Sequence, residues 1–181
     1  GKRMRPLTIL RPKPLIEVEG RPLLEHVIDA LPEEVDEVIL VVGYKADMIQ
    51  QHFGDLYKGR RIKYGIQPVP DGTAHALKLA EPLLKIGRFV FAYGDDIHGA
   101  KDIKRALSYP LAILATTHPE PSRFGVIEMS ASGTLVDVIE KPAVPTTNLI
   151  STGAMILSTR IFQYDAIRQD NGEYYINDML R

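Results

Sequence analysis

The apolar residues of this chain recur at two spacings that alternate along its first 116 residues. An unbroken apolar run, Val-Ile-Leu-Val-Val at residues 38–42, is typical of a strand covered on both faces. Residues 22–31 and 45–53 instead place their apolar side chains at helical spacing. The pattern predicts strands at residues 36–42, 61–67, 88–93 and 111–116, with helices at residues 22–31, 45–53, 73–84 and 101–108.

This alternation of helices and strands predicts the fold class. Right-handed crossovers between successive strands give an open, mostly parallel sheet with helices on both faces, which is a doubly wound, Rossmann-like α/β domain. From Phe124 onward the pattern changes, because residues 124–129, 134–139 and 148–157 have the composition of strands joined by loops alone. We therefore expect a small β-rich flank, then a helix at residues 160–168 and the beginning of another at residues 174–181.

The composition is that of one ordinary globular domain, and it excludes several functional classes. The 181 residues are 45% hydrophobic, and 22 basic residues against 23 acidic ones give a net charge of -1. Without an overall positive field, nucleic acid is a disfavoured partner. The absence of cysteine excludes disulfides, thiolate metal sites and thiol catalysis. No apolar run approaches the roughly 20 residues of a membrane span and nothing at the start resembles a signal peptide, so we expect a cytoplasmic protein without a membrane partner.

Loops are the first candidates for chemistry, because ligands of open α/β sheets bind at the carboxyl ends of the strands. The first loop carries five cations within thirteen residues, and Lys13 stands between two prolines. Such a loop can clamp a polyphosphate, and the alternative is a solvated basic segment. The prolines favour the clamp, since they present the Lys13 ammonium from a stiff backbone.

Two further loops offer polar groups at strand ends. Gln67 supplies both a donor and an acceptor, which suits the edge of a nucleobase. Gly72 precedes the helix at residues 73–84 and allows a ligand to approach the backbone closely. Asp95 directly follows an apolar strand and can hold magnesium. For both loops, a turn with local capping hydrogen bonds is the alternative interpretation.

The remaining polar groups are less informative. Glu140 and Lys141 end a strand, and they either contact a polar small molecule or form a surface ion pair. The five histidines are scattered with no pair at metal-ligand spacing. Only His98 lies near carboxylates in the sequence, and we interpret it as a solvated loop residue.

In this order and at these spacings, the segments resemble the sugar-phosphate nucleotidyltransferases, also called nucleotide-sugar pyrophosphorylases. The signature loop of that family matches Gly1-Lys2-Arg3-Met4-Arg5-Pro6-Leu7-Thr8, followed by Lys13 ten residues after Arg3. Five further matches follow along the chain: Gln67 with Gly72-Thr73-Ala74; Asp95; Phe124-Gly125-Val126-Ile127 followed by Glu140-Lys141-Pro142; Ser151-Thr152-Gly153; and Gly172-Glu173-Tyr174-Tyr175-Ile176-Asn177-Asp178. The resemblance spans essentially the whole chain and is specific because six weak motifs are in register.

The resemblance implies a magnesium-dependent enzyme that transfers a nucleotidyl group from UTP or dTTP to a sugar 1-phosphate, giving a nucleotide sugar and pyrophosphate. The site residues that it implies are catalytic Arg3 and Lys13, nucleotide-binding Gly1, Gln67, Gly72 and Thr73, sugar-phosphate-binding Gly125, Glu140, Lys141, Ser151 and Thr152, and Asp95 for Mg²⁺. The expected partners are the nucleoside triphosphate and the sugar 1-phosphate, and the sequence leaves a homo-oligomer open.

The chain also departs from the family pattern. Lys2 stands where the family usually has threonine, which adds a charge beside the triphosphate. The resemblance further implies that residues 1–181 form a single nucleotidyltransferase catalytic domain that lacks the family's first strand and its C-terminal part.

Two other functional classes stay open at this point. A non-catalytic regulatory or nucleotide-sugar-binding relative would be signalled by loss of Arg3, Lys13 or Asp95, and all three are present. A nucleotide-sugar-dependent glycosyltransferase usually carries an Asp-x-Asp motif, whereas Ile97 follows Asp96 here.

Overall fold

The computed structural model describes residues 4–180. Its α-helices are α1 (Leu7–Leu10), α2 (Leu23–Asp29), α3 (Ala46–Phe53), α4 (Thr73–Ala80) and α5 (Ala100–Ala106). Its strands are β1 (Glu17–Val18), β2 (Arg21–Pro22), β3 (Glu37–Val42), β4 (Leu56–Tyr57), β5 (Arg60–Ile66), β6 (Arg88–Ala92), β7 (Ala112–Thr117), β8 (Gly125–Met129), β9 (Leu135–Glu140) and β10 (Leu149–Ser158). Short 3₁₀ helices cover Lys13–Leu15, Glu81–Leu83, Pro121–Arg123, Thr159–Gln163 and Ile176–Leu180. Within residues 4–180, no helix is both long and apolar enough to cross a bilayer.

The first sheet contains the predicted parallel strands. β3 and β5 pair in parallel, with Val42 opposite Ile66 at their carboxyl ends, and β4 adds antiparallel to β5. Leu40 and Val42 enter a buried core with Ile28 of α2 and Phe53 of α3. Full burial of such side chains contributes about 1.5–3 kcal/mol each. This core therefore fixes the end of β5, from which the loop carrying Gln67 departs.

β10 organises the second sheet. It pairs antiparallel with β6, β7 and β8, and β9 continues the sheet beyond β8. Its pairing with β7 shifts register between Ser151 and Met155. The inward side of β10 packs with α4 and the last 3₁₀ helix in a second core that includes Met155 and Ile176. The carboxyl end of β6 is thereby placed beside the ends of β8 and β9.

The α/β class is confirmed, but the sheets are mixed rather than mostly parallel. Among the described strands, only β3 and β5 are hydrogen-bonded in parallel. β6 and β7 run in the same direction, as a crossover through α5 requires, yet β10 lies antiparallel between them. A strand reached through loops can enter a sheet antiparallel. The β-rich half is therefore part of the same sheet as β6 and is not a separate flank.

The two helices predicted near the C-terminus are wrong as α-helices. Thr159–Gln163 is a short 3₁₀ helix, after which the backbone becomes extended and Arg168 forms a bridge with Tyr174. The second prediction is reduced to the 3₁₀ helix Ile176–Leu180. The reason is tertiary, because Tyr174 N donates to the Asp71 carbonyl and Ile176 N donates to Thr73 Oγ1. These long-range bonds take the place of the first turn of a helix.

Candidate active site

An open cavity of about 1350 Å³ lies at the carboxyl end of β6, between the start of β8 and the end of β9. A smaller cavity of about 300 Å³ adjoins it and shares part of its wall. The predicted site residues that line the large cavity are Lys13, Asp95, Gly125, Glu140, Lys141, Ser151 and Thr152. Thr73 lines the small one. Segments far apart in the sequence therefore meet at one place, as the strand-end argument predicted.

Lys13 and Asp95 form an ion pair inside the large cavity, although 82 residues separate them in the sequence. Lys13 begins a 3₁₀ helix between Pro12 and Pro14, which fix the backbone that carries it. Its Nζ meets Asp95 Oδ2, and the two side chains are 34% and 36% exposed. The pair is thus anchored by stiff backbone on one side and remains open to a ligand on the other.

Asp95 and Asp96 place two carboxylates directly beyond β6. Burial raises the pKa of the Asp96 carboxyl, and the neighbouring charge of Asp95 raises it further. Two carboxylates this close favour a cation between or beside them. No group of three or more His, Asp or Glu side chains within residues 4–180 is arranged to hold a metal. The donor set still fits Mg²⁺, because that ion is commonly bound through one or two carboxylates, with phosphates and water completing its octahedron.

Glu140 and Lys141, at the end of β9, also line the cavity. Glu140 Oε1 accepts from Lys141 Nζ at 2.6 Å, and Oε2 accepts from Asn177 Nδ2 at 2.9 Å. Lys141 has a left-handed backbone with φ of 43°, and its ammonium lies 5.4 Å from the ring centre of Tyr175. Burial lowers the pKa of Lys141, but the hydrogen bond and charge of Glu140 outweigh it and leave the pKa raised. Lys141 therefore stays positively charged at neutral pH, and Glu140 is held in one orientation as a hydrogen-bond acceptor.

Gly125 provides the space in which Glu140 is held. It pairs with Glu140 in the β8–β9 ladder. A Cβ at this position would lie 3.0 Å from Asn177 Nδ2 and 3.4 Å from Glu140 Oε2. Any larger residue would therefore press on the hydrogen bond between Asn177 and Glu140.

Ser151 and Thr152 line the cavity at the register shift of β10. Thr152 Oγ1 donates to the Leu114 carbonyl of β7 at 3.0 Å, and Ser151 Oγ accepts from Gly153 N at 3.3 Å. The hydroxyl hydrogen of Thr152 is thus committed to the sheet, whereas that of Ser151 is available to a ligand. Of the two, Ser151 is better placed to bind a sugar or phosphate oxygen.

Gln67 and Gly72 stand apart from both cavity walls and are joined to them through Thr73. Gln67 Nε2 donates to Asp71 Oδ1 at 3.0 Å and to the Gly72 carbonyl at 3.1 Å. Gly72 has φ of +114°, and its α-carbon faces the backbone of Tyr174 so closely that a Cβ would collide with it. The loop is therefore rigid and carries the start of α4 to the small cavity. Gly1 and Arg3, the remaining predicted site residues, lie outside the described residues.

The profile of the nucleotidyl transferase family matches residues 1–181 of this sequence. The chain belongs to this family. The UTP–glucose-1-phosphate uridylyltransferase AglF of Haloferax volcanii is 35% identical over 190 residues, covering 99% of this chain and 78% of that protein. The bifunctional protein GlmU of Methanococcus maripaludis is 32% identical over 185 residues, which are 100% of this chain and 44% of GlmU. This nucleotidyltransferase chain therefore spans less than half the length of the GlmU relative.

Solved structures share the nucleotidyltransferase fold. A UDP-glucose pyrophosphorylase complexed with UDP-glucose superposes with a TM-score of 0.84 at 22% identity, covering 99% of this chain and 81% of that one. A Bacillus anthracis protein assigned as a glucose-1-phosphate thymidylyltransferase gives 0.85 at 23% identity, over 98% of this chain and 76% of that one. At these identities the likeness confirms the Rossmann-like α/β fold.

Several residues that line the large cavity, or contact its lining, are not predicted from the sequence. Tyr93 lines both cavities, and its pKa is raised to about 12, chiefly by burial and then by the charge of Glu140. Asn177 orients Glu140 through its side-chain amide, whereas the sequence indicates only that its segment resembles the family. The interpretation of His98 as solvated is wrong for Nε2, which is enclosed without a hydrogen-bond partner among the described residues. Burial accordingly lowers the pKa of His98.

Proposed function

We propose that this chain transfers a nucleotidyl group from UTP or dTTP to a sugar 1-phosphate, with Mg²⁺ as cofactor. The observation that carries the proposal is the pairing of Lys13 with Asp95 in a cavity that Glu140 and Lys141 also line. A cation suited to phosphate and a carboxylate suited to a metal ion thus share one cavity with groups suited to a phosphorylated polyol. The names of AglF and of the solved pyrophosphorylase agree with this substrate class.

The chemistry requires no general base. A sugar phosphate has a second pKa near about 6, so its oxygen is already an anionic nucleophile at neutral pH. That oxygen forms a bond to the α-phosphorus while the bond from the α-phosphorus to the bridging oxygen breaks, and pyrophosphate leaves with the electron pair. The obstacle is repulsion between two anions. Catalysis therefore consists mainly of alignment and charge neutralisation.

Each wall of the cavity has a distinct part in this proposal. Lys13 neutralises the α-phosphate and the attacking sugar phosphate, and Arg3 of the signature loop steadies the leaving phosphates. Asp95 holds Mg²⁺, which supplies further charge neutralisation when bound. Glu140 accepts hydrogen bonds from sugar hydroxyls, and Lys141 lies near the sugar phosphate.

Nucleotide recognition belongs to the loop that leads into α4. Gln67 contacts the imide edge of uracil or thymine, while Gly1, Gly72 and Thr73 contribute backbone and hydroxyl groups to the nucleotide. Ser151, Thr152 and Gly125 complete the sugar-phosphate side. This division places the base and the sugar at opposite ends of the reacting phosphates.

Pyrophosphate release tests the proposal directly. The purified protein is incubated with Mg²⁺, each of the common nucleoside triphosphates in turn, and a panel of sugar 1-phosphates. Release that requires both a triphosphate and a sugar 1-phosphate is the expected result. Release from triphosphate alone, or none with any pair, contradicts the proposed reaction.

A further inference from the structure

The side-chain amide of Gln67 donates hydrogen bonds to two groups, and both of these groups can only accept. One is a carboxylate oxygen of Asp71, and the other is the backbone carbonyl of Gly72. The orientation of a glutamine amide follows from its partners, and neither of these can donate. Both N–H groups of Nε2 therefore point into the loop, and Oε1 points away from these two acceptors.

Asp71 is itself held by three contacts. His75, in the first turn of α4, donates from Nδ1 to Asp71 Oδ2, so the two carboxylate oxygens accept from His75 and Gln67 respectively. Burial raises the pKa of Asp71, but the bonds from His75 and Gln67 outweigh it and leave the pKa lowered. The Asp71 carbonyl also accepts from Tyr174 N at 2.8 Å. Asp71 therefore stays ionised and in place, with its acceptor toward Gln67.

We propose that Asp71, braced by His75, is a positioning residue that turns the Gln67 amide so that its carbonyl oxygen meets the base. This inference rests on the proposed function, in which Gln67 contacts the nucleobase. The orientation of Oε1 then determines which bases the site accepts. Bases with an N–H at the ring nitrogen of the Watson–Crick edge satisfy Oε1, and these are uracil, thymine and guanine. Cytosine and adenine present a ring acceptor there, so two lone pairs oppose each other.

The size of the discrimination follows from the unpaired acceptor. A site that satisfies a hydrogen-bonding edge rejects an analogue that leaves its polar group unpaired far more strongly than it rejects a change of shape. Gln67 alone does not enforce this choice, because a free amide rotates and offers Nε2 to a cytosine ring nitrogen. Removal of Asp71 leaves the Gly72 carbonyl as the single acceptor behind Gln67 and frees that rotation.

The test is a double-mutant cycle read out as base discrimination. The ratio of kcat/KM for UTP to that for CTP is measured in the unmodified protein, Asp71→Ala, Gln67→Ala and the double variant. We expect Asp71→Ala to lower the ratio at least tenfold while kcat with saturating UTP stays within threefold. In the Gln67→Ala background, Asp71→Ala is expected to change the ratio less than twofold, because Asp71 acts through Gln67.

Controls separate this effect from a loss of folding. Asp165→Ala removes another carboxylate that pairs with α4, through Lys78, and leaves the base ratio unchanged. His75→Ala keeps Asp71 and removes only the hydrogen bond that His75 donates to it. This variant is expected to lower the UTP-to-CTP ratio by a smaller factor than Asp71→Ala does. An unchanged ratio in both His75→Ala and folded Asp71→Ala overturns the inference.

Direct nucleotide binding distinguishes failure of the inference from failure of the proposed function. Calorimetric affinities for UTP and CTP give the same ratio without turnover. Selective binding that Asp71→Ala weakens, in a protein that releases no pyrophosphate, supports the positioning role and refutes the reaction. Turnover in which Asp71→Ala shifts the ratio equally with and without Gln67 supports the reaction and refutes the positioning role.

Discussion

Replacement of Lys13 by methionine separates its contribution to catalysis from its contribution to folding. The variant keeps the length of the side chain and removes the charge. Within residues 4–180, Lys13 pairs with the carboxylate of Asp95, and both side chains are about one-third exposed. Ion pairs at such positions contribute about 1 kcal/mol or less to stability. The change should therefore hardly alter the free energy of unfolding.

The effect on turnover is expected to be much larger. In the proposed reaction, Lys13 faces negative charge that moves from the attacking sugar phosphate to the leaving pyrophosphate. Loss of one such preorganised group costs about 100- to 1000-fold in kcat. That loss corresponds to about 2.7–4 kcal/mol of transition-state stabilisation. The expected loss of transition-state stabilisation is therefore severalfold larger than the expected loss in the free energy of unfolding.

The assay combines steady-state pyrophosphate release with urea unfolding of the same preparations. Lys78→Met is the matched control, because Lys78 also pairs with an aspartate and is 39% exposed, yet it lies on neither cavity wall. We expect the control to keep its turnover. Near-normal kcat in Lys13→Met, or an equal loss in both variants, would refute the reasoning.

Three further substitutions test other parts of the site. Asp95→Asn should abolish magnesium-dependent turnover, since an amide oxygen carries no charge for a hard cation, and a magnesium titration of pyrophosphate release checks this. Gln67→Ala should weaken discrimination between UTP and CTP in kcat/KM, and an unchanged preference would make Gln67 purely structural. Gly72→Ala should destabilise the fold by about 1–3 kcal/mol or more, because of its positive φ and the backbone of Tyr174. Gly133→Ala, with φ of +81° and open space, is its control in thermal unfolding and should cost less.

The sequence predicts those helices and strands whose apolar residues recur at the spacing that burial against the core requires. The run at residues 38–42 became β3, and the helical spacing at residues 45–53 became α3. Both depend on a core that neighbouring residues build. The helix expected at residues 174–181 starts late and stays short, because Tyr174 N and Ile176 N donate to Asp71 and Thr73, and the second of these bonds spans 103 residues. No local pattern contains that information.

The same division applies to the site. Lys13 is predicted from the cations and prolines of its own loop, and Asp95 from its place directly after an apolar strand, where ligands of open α/β sheets bind. Asn177 was not singled out, because its role is to orient Glu140 across 37 residues. Its signal in the sequence is weak, since one asparagine after an apolar residue has no distinctive spacing. Antiparallel insertion of β10, which brings these segments together, is equally non-local.

The charged side chains that line the large cavity balance each other. We therefore expect them to contribute more by orienting a ligand at short range than by attracting it from a distance. Four cationic and four carboxylate side chains line this cavity, namely Lys13, Arg105, Arg123 and Lys141 with Asp95, Asp96, Asp102 and Glu140. Their formal charges sum to zero, so the lining is neutral before a substrate binds. A neutral wall attracts a polyphosphate weakly at long range, because opposite charges only a few ångströms apart cancel beyond the Debye length of about 8–10 Å. In the proposed reaction, net attraction for a triphosphate comes from the basic signature loop and from a divalent cation. The paired side chains of the cavity then act at short range, where their placement on stiff backbone decides which phosphate oxygen is neutralised during transfer. Substitution of Lys13 should consequently lower kcat more than it raises KM.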